Sequence, residues 1–163
     1  MTLQQGPSRN SHAARRRRGF SLVELLLVVA ILAVLGRMIV PRYASAWSRT
    51  RLDTAARRVA ADLVLAQSRA RQTSAPQSVV FDLSTHSYQI PGEPDPERPA
   101  TTYTVQLAKS PYGVSVNAVN FANAKVTFNG FGVPAAPGSV ILRAGVHQRT
   151  ISLSQQTGAV SIQ

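Results

Sequence analysis

Apolar residues first crowd together along this chain and then settle into two different rhythms. Between Leu25 and Leu35 there is no polar side chain. A helix over residues 20–40 is about 30 Å long at the rise of an α-helix, the thickness of a bilayer's hydrocarbon core. Past Pro41 the pattern becomes amphipathic. Leu52, Ala55, Ala56, Val59, Leu63, Ala66 and Ala70 recur at three- and four-residue steps and draw one alanine-rich stripe, which permits close approach of a sheet. Arg49, Arg51, Arg57, Arg58, Asp62, Arg69 and Arg71 read as lying mostly off that stripe, with the arginines as a solvated face. Asp53 and Arg57 have the spacing of an acid-first pair one turn apart. Gly36 and Pro41 are breakers, so a kink or weak point is expected between them. Ser74, Ala75 and Pro76 stop the helix.

From Gln77 the period changes to two. Residues 78–82, 88–90, 103–107, 114–119, 125–128, 139–143, 150–154 and 159–162 read as short strands, and their close spacing indicates antiparallel pairing. The segment PGEPDPERP at 91–99 reads as a loop, since proline cannot donate a ladder hydrogen bond. The expected fold class is α+β: a long N-terminal α-helix, membrane-spanning in its first half and amphipathic in its second, packed on a small antiparallel β-sheet domain. The organisation is a leader over 1–19, an apolar helix over 20–40, its amphipathic continuation over 41–75 and a β domain over 76–163.

Charge sharpens this division. The formal charge is +11, from 18 basic and 7 acidic residues. Arg9 and the block Arg15, Arg16, Arg17, Arg18 precede the apolar run without a single acid. From Gln77 onward Arg98, Lys109, Lys125, Arg143 and Arg149 nearly balance Asp82, Glu93, Asp95 and Glu97. Basic residues flanking an apolar helix stay on the cytoplasmic side, which puts the C-terminal domain outside. Trp47 and Tyr43 suit the membrane interface. Cysteine is absent, which excludes disulfides and thiolate chemistry and chooses no compartment.

Glu24 does not fit a plain anchor. A carboxylate at bilayer depth is costly and calls for a partner. The candidates are Arg18 and its neighbours, or an α-amino group at Phe20 if the chain is cut after Gly19. The run Arg18-Gly19-Phe20-Ser21-Leu22-Val23-Glu24 and the apolar helix after it resemble the export signal of type IV pilins and type II secretion pseudopilins. The resemblance implies cleavage by a prepilin peptidase between Gly19 and Phe20, and N-methylation of Phe20. It makes Glu24 the glutamate that neutralises the amino terminus of an adjacent subunit during assembly. Pro41 matches a proline common in the family, where the helix is loosened. A Phe-x-Gly-x-Gly-like segment at 128–132, followed by two strands and a closing Thr157-Gly158-Ala159-Val160, resembles the GspH/FimT group of minor pseudopilins. That group implies a non-enzymatic subunit of a periplasmic pseudopilus, single-pass in the bacterial inner membrane, with other pseudopilin subunits as partners. A FimT-like minor pilin of a type IV pilus is the alternative.

Other readings are weaker. Ala44-Ser45-Ala46 offers a secretory cleavage site and Arg17-Arg18 a faint twin-arginine signal. Glu24 inside the apolar region, and Arg37 and Arg42 before that site, speak against both. An uncleaved anchor leaves Glu24 without a role. Lone His86 and His147 supply no metal set, so no metal and no cofactor are expected. Asn129-Gly130-Phe131-Gly132 lacks the lysine and following helix of a phosphate loop. Glu93, Asp95 and Glu97 make a solvated loop rather than a calcium site. Some FimT-like relatives bind DNA. Here only Arg143, Arg149 and His147 suggest a small cationic patch, so DNA is not the expected partner.

Overall fold

The computed structural model describes residues 20–96 and 98–163, the side chains of 37–44 excepted. In chain order the elements are α1 (Leu22–Thr73), β1 (Gln77–Asp82), β2 (Ser87–Pro94), β3 (Thr102–Gln106), β4 (Ser115–Val119), β5 (Lys125–Phe128), β6 (Gly138–Ala144), β7 (His147–Leu153) and β8 (Val160–Ile162). The chain divides between Val40 and Pro41 into two units.

In the first unit, the Ser21 carbonyl accepts the Leu25 N–H at 3.1 Å, which makes Ser21 the N-cap of α1. Every described side chain from Phe20 to Leu35 is exposed, on all sides of the helix. A Cβ added at Gly36 would meet nothing within 4 Å, so among the described residues no close approach calls for a glycine here. The expected weak point at Gly36 to Pro41 lies inside a continuous helical assignment, and the Pro41 side chain lies outside the described residues. Among the described residues no helix is long and apolar enough to cross a membrane; side chains 37–40, which the 20–40 reading needs, are outside them.

The second unit is α+β, as expected, but its strands form two sheets. One has the order β3-β2-β1-β5 and the other β4-β6-β7-β8. All pairings are antiparallel. β4 leaves the first sheet to pair with β6, and β5 returns to pair with β1. Strand spacing along a chain reveals where strands lie and not which edge each one joins, so the second sheet was invisible in the pattern. The helix lays Leu52, Ala55, Ala56, Val59, Leu63, Ala66 and Ala70 into a core with Val79, Tyr88, Ile90, Phe128, Val140, Leu142 and Ile151. The stripe read from three- and four-residue steps is thus the buried face.

Residues 91–94 differ from the expected loop. β2 continues to Pro94, with a register shift against β3 between Ile90 and Pro94. Prolines are tolerated there because the missing N–H groups fall at an irregularity of the ladder. The Pro91 carbonyl is still used, accepting the Gln77 Nε2–H at 2.9 Å.

Two glycines of the C-terminal motifs have a steric reason. Buried Gln67 sends Nε2 to the Gly132 carbonyl at 2.8 Å and to the Gly158 carbonyl at 3.4 Å. Gly158 has φ +65 and a Cβ there would lie 2.3 Å from Gln67 Nε2; Gly132 has φ +75 and a Cβ there would lie 2.3 Å from Arg71 Nε. Glycine suits both loops through its positive φ, and at Gly158 a side chain would also press on the buried Gln67 amide.

Adjacent residues of α1 separate packing from propensity. Leu63 is fully buried and Val64 half-exposed. Leu63→Ala is expected to cost about 2–5 kcal/mol through the cavity it leaves, and Val64→Ala less than about 0.5 kcal/mol. Urea unfolding of the detergent-solubilised chain, followed by near-ultraviolet circular dichroism, checks the contrast.

Candidate functional site

Two places hold charge where apolar surroundings make it matter, one in each unit. The first is the start of α1. Phe20 is 81% exposed and Val34 72%. A helix that is apolar all round belongs inside a bilayer or among other helices, and an exposed apolar surface of this extent marks an interaction site. Glu24 falls in the first helical turn, where a carboxylate complements the positive end of the helix dipole. Ser21 and Glu24 also have the spacing of a capping box. Among the described residues no ion pair includes Glu24. Phe20 precedes the helix and Gly19 lies outside the described residues.

The second is a carboxylate in the core. Asp62, read from sequence as lying off the stripe, is only 5% exposed. Its Oδ2 accepts the Tyr88 hydroxyl at 2.5 Å, the Tyr103 hydroxyl at 2.8 Å and the Arg58 Nε–H at 3.2 Å. Arg58 also donates to the Tyr103 hydroxyl, and its guanidinium lies 5.8 Å from the centre of that ring. Burial first, then the charge and hydrogen bond of Asp62, pushes the Tyr88 hydroxyl far above the usual phenol range. Burial, then the hydrogen bond to Asp62 and its charge, raises Tyr103 to about 12, with Arg58 opposing. The arrangement holds a negative charge still and offers no reacting group to solvent. Its signal was available: Asp62 follows Val59 by three residues and precedes Ala66 by four, which places it on the margin of the apolar stripe.

The helix arginines are not a plain solvated face. Arg69 reaches Glu93 at 2.7 Å and Arg71 Nε donates to the Phe131 carbonyl at 3.3 Å. Asp53 pairs with Arg149 of β7 at 2.7 Å and not with Arg57, because a partner fixed on a strand holds a geometry that an exposed helix neighbour does not. Of the residues suggested as a cationic patch, Arg143 donates Nε to the Gly145 carbonyl at 2.9 Å and Arg149 answers Asp53, while His147 faces Ser45 and Arg49. His86 accepts the Val116 N–H on Nδ1 at 3.3 Å. Among the described residues no group of three or more histidine, cysteine or acidic side chains is placed to hold a metal; Glu97 lies outside them.

Comparison with known proteins adds four findings. A family model described as type II transport protein GspH matches residues 55–157. One described as a prokaryotic N-terminal methylation motif matches residues 14–36. The chain is 32% identical over 95 residues to the type II secretion system protein H of Xanthomonas campestris pv. campestris. That match covers 58% of this chain and 56% of that protein, so the chain spans little more than half the length of this curated relative. Crystal structures of the type IV minor pilin FimU of Pseudomonas aeruginosa strain PAO1 superpose with TM-scores of 0.54 and 0.52 at 18% and 17% identity. They cover 71% and 69% of this chain and 90% and 92% of theirs; at such identities the likeness is one of fold.

Asp62→Ala strands two buried hydroxyls and a guanidinium and is expected to cost about 3–5 kcal/mol, the scale for breaking a buried pair by removing one partner. Arg58→Ala removes a group that is partly exposed and is expected to cost less. Equilibrium unfolding of the two variants checks the order. A second expectation concerns alkaline pH. Because folding raises Tyr103 from the ordinary phenol value near 10 to about 12, its contribution is fully present below pH 10 and is lost as pH rises from about 10 to 12. Thermal unfolding across that window, read beside tyrosinate absorbance, should show the loss; Tyr88, raised further, adds a loss of its own over the same window, so Tyr103→Phe should reduce the slope to roughly half and not abolish it.

Proposed function

This chain belongs to the GspH family of type II transport proteins, and from that premise we propose that it is a minor pseudopilin, a structural subunit of a type II secretion pseudopilus. The observation that carries the proposal is the start of α1: apolar side chains exposed on every side, with one carboxylate in the first turn, inside a stretch that matches a prokaryotic methylation motif. The 32% identity to a type II secretion system protein H favours the secretion reading over a type IV pilus.

In this reading a prepilin peptidase cuts between Gly19 and Phe20 and methylates the new terminus. Residues 20–40 span the inner membrane and the β domain lies in the periplasm. Other pseudopilin subunits cover the apolar helix as it leaves the bilayer. Glu24 accepts the charge of a Phe20 amine from a neighbouring subunit. Gly36, which no packing contact requires, and Pro41 loosen the helix where it changes surroundings. The work is done by helix association and charge neutralisation, and none of these steps needs a catalytic residue.

The intact mass of the protein purified from its native membrane tests the first step. It should correspond to a chain beginning at N-methylated Phe20, and any other start removes the reading. Glu24→Ala should insert and be cleaved normally, while its recovery in sheared or cross-linked filaments falls about ten-fold or more, given the cost of an unpaired charge among apolar helices. Undiminished recovery would count against the charge pairing.

A further inference from the structure

The beginning of the second unit carries a cationic rim with two exposed apolar side chains set in it. Arg49 donates Nε–H to His147 Nε2 at 3.3 Å, and Ser45 Oγ lies 3.1 Å from the same nitrogen. Arg49, Leu52, His147 and Arg149 line an open cleft of about 390 Å³. Val146, at the tip of the β6–β7 hairpin, is 88% exposed. About 160° round the helix from Arg49, Trp47 is 64% exposed, with the Arg51 guanidinium 5.3 Å from its ring centre, so the rim runs round the helix and not along one face. Among the described residues no carboxylate pairs with Arg49 or Arg51, and Asp53 answers Arg149 alone.

We infer that this rim seats the phosphate headgroups of anionic phospholipids, Arg49 and Arg51 contacting phosphate while Trp47 and Val146 enter the boundary between headgroups and acyl chains. The inference rests on the reading of residues 20–40 as a membrane helix. Ser45 lies five residues beyond Val40. Trp47, Arg49 and Arg51 follow Val40 by seven, nine and eleven residues, about 10, 14 and 16 Å of chain as helix, so connectivity alone limits how far these side chains can lie from the end of the apolar run. Arginine suits phosphate because its planar fork presents paired donors. Arginines alone would suit any anion; tryptophan beside them favours a surface that is charged on one side and apolar on the other. The rim would hold the domain against the membrane before assembly and release it as the helix is drawn out.

Trp47 is the only tryptophan of the chain, so its emission reports on the rim directly. The experiment reconstitutes the full chain in vesicles of phosphatidylcholine alone or with phosphatidylglycerol, and measures the Trp47 emission maximum and its quenching by lipids brominated near the headgroup. With phosphatidylglycerol the emission should move to the blue and quenching should rise. High salt should reverse both. Arg49→Glu should weaken the dependence on anionic lipid about five-fold or more, the scale for one basic side chain at a charged surface. Asp53→Asn, which frees Arg149, should strengthen it. A chain that resists carbonate extraction yet gives identical Trp47 signals in both lipids overturns the inference and leaves the membrane helix standing. A chain released by carbonate overturns the membrane reading itself, and this inference with it. A shift produced by a short DNA duplex and not by phosphatidylglycerol assigns the rim to nucleic acid and also overturns the lipid assignment.

Discussion

Asp62 fixes how the helix sits on the sheets. The stripe around it is built largely of alanine, and small side chains let a backbone approach closely without saying where along the axis it should stop. Two hydroxyls and a guanidinium meet on one carboxylate oxygen at a single register. Gln67 does the same on the opposite margin of the stripe, donating to Gly132 beyond β5 and to Gly158 between β7 and β8. At about 100° per residue, the two side chains flank the centre of the stripe at roughly 70° on either side. The apolar face supplies adhesion, and a polar contact on each edge supplies position. Asp62 is satisfied from β2 and β3 of one sheet, so the helix is tied to both the first sheet and the loops that border the second.

A likeness of fold at 18% identity to a type IV minor pilin does not require the same side-chain contacts. A core accepts many combinations of apolar residues if volume and pattern are kept. What the sequence must retain is the periodicity of the stripe, the alternation of the strands and the absence of a side chain where loops press on the helix. Likeness of fold leaves the biological task open. Here the task is argued from the N-terminal stretch, which the solved relatives do not decide.

Most of this architecture was legible in the chain. The helix end at Ser74, the buried stripe and eight strands follow from local periods of 3.6 and 2, and local periods are what a sequence displays. The failures share a cause. Asp62 was read as lying off the stripe, and its burial was missed because its partners, Tyr88 and Tyr103, are remote in sequence. Asp53 was matched with Arg57, one turn away, when Arg149 lay across the fold. β2 was ended at Pro91 because the rule against proline in a ladder holds for regular pairing and not for a bulge. The second sheet was missed because alternation marks a strand and says nothing about its neighbour. On the site, a run of consecutive residues is readable in a sequence, and a methylation motif does match residues 14–36; the roles of Gly19, Phe20 and Glu24 within it stand as proposals. Trp47 was read as an interfacial residue from its place after the apolar run, but the contact of Arg49 with His147 was not readable, since it joins a helix to a hairpin about a hundred residues later.

The apolar start of α1 poses the same problem of position that Asp62 solves in the domain. Apolar side chains on every side adhere to lipid or to other helices equally well, and they specify neither rotation nor axial offset. On the proposed reading the leader's five arginines hold the helix in the membrane, because a block of charge cannot be drawn through hydrocarbon. Cutting after Gly19 removes that block and leaves one amine, while Glu24 keeps its charge at the positive end of the helix dipole. A helix end with one positive and one negative group is nearly neutral as a whole, so it can travel. Each charge alone still costs several kcal/mol away from water, so both favour the one offset between neighbouring helices at which amine and carboxylate meet. Adhesion is again apolar and register again ionic, now between molecules instead of within one.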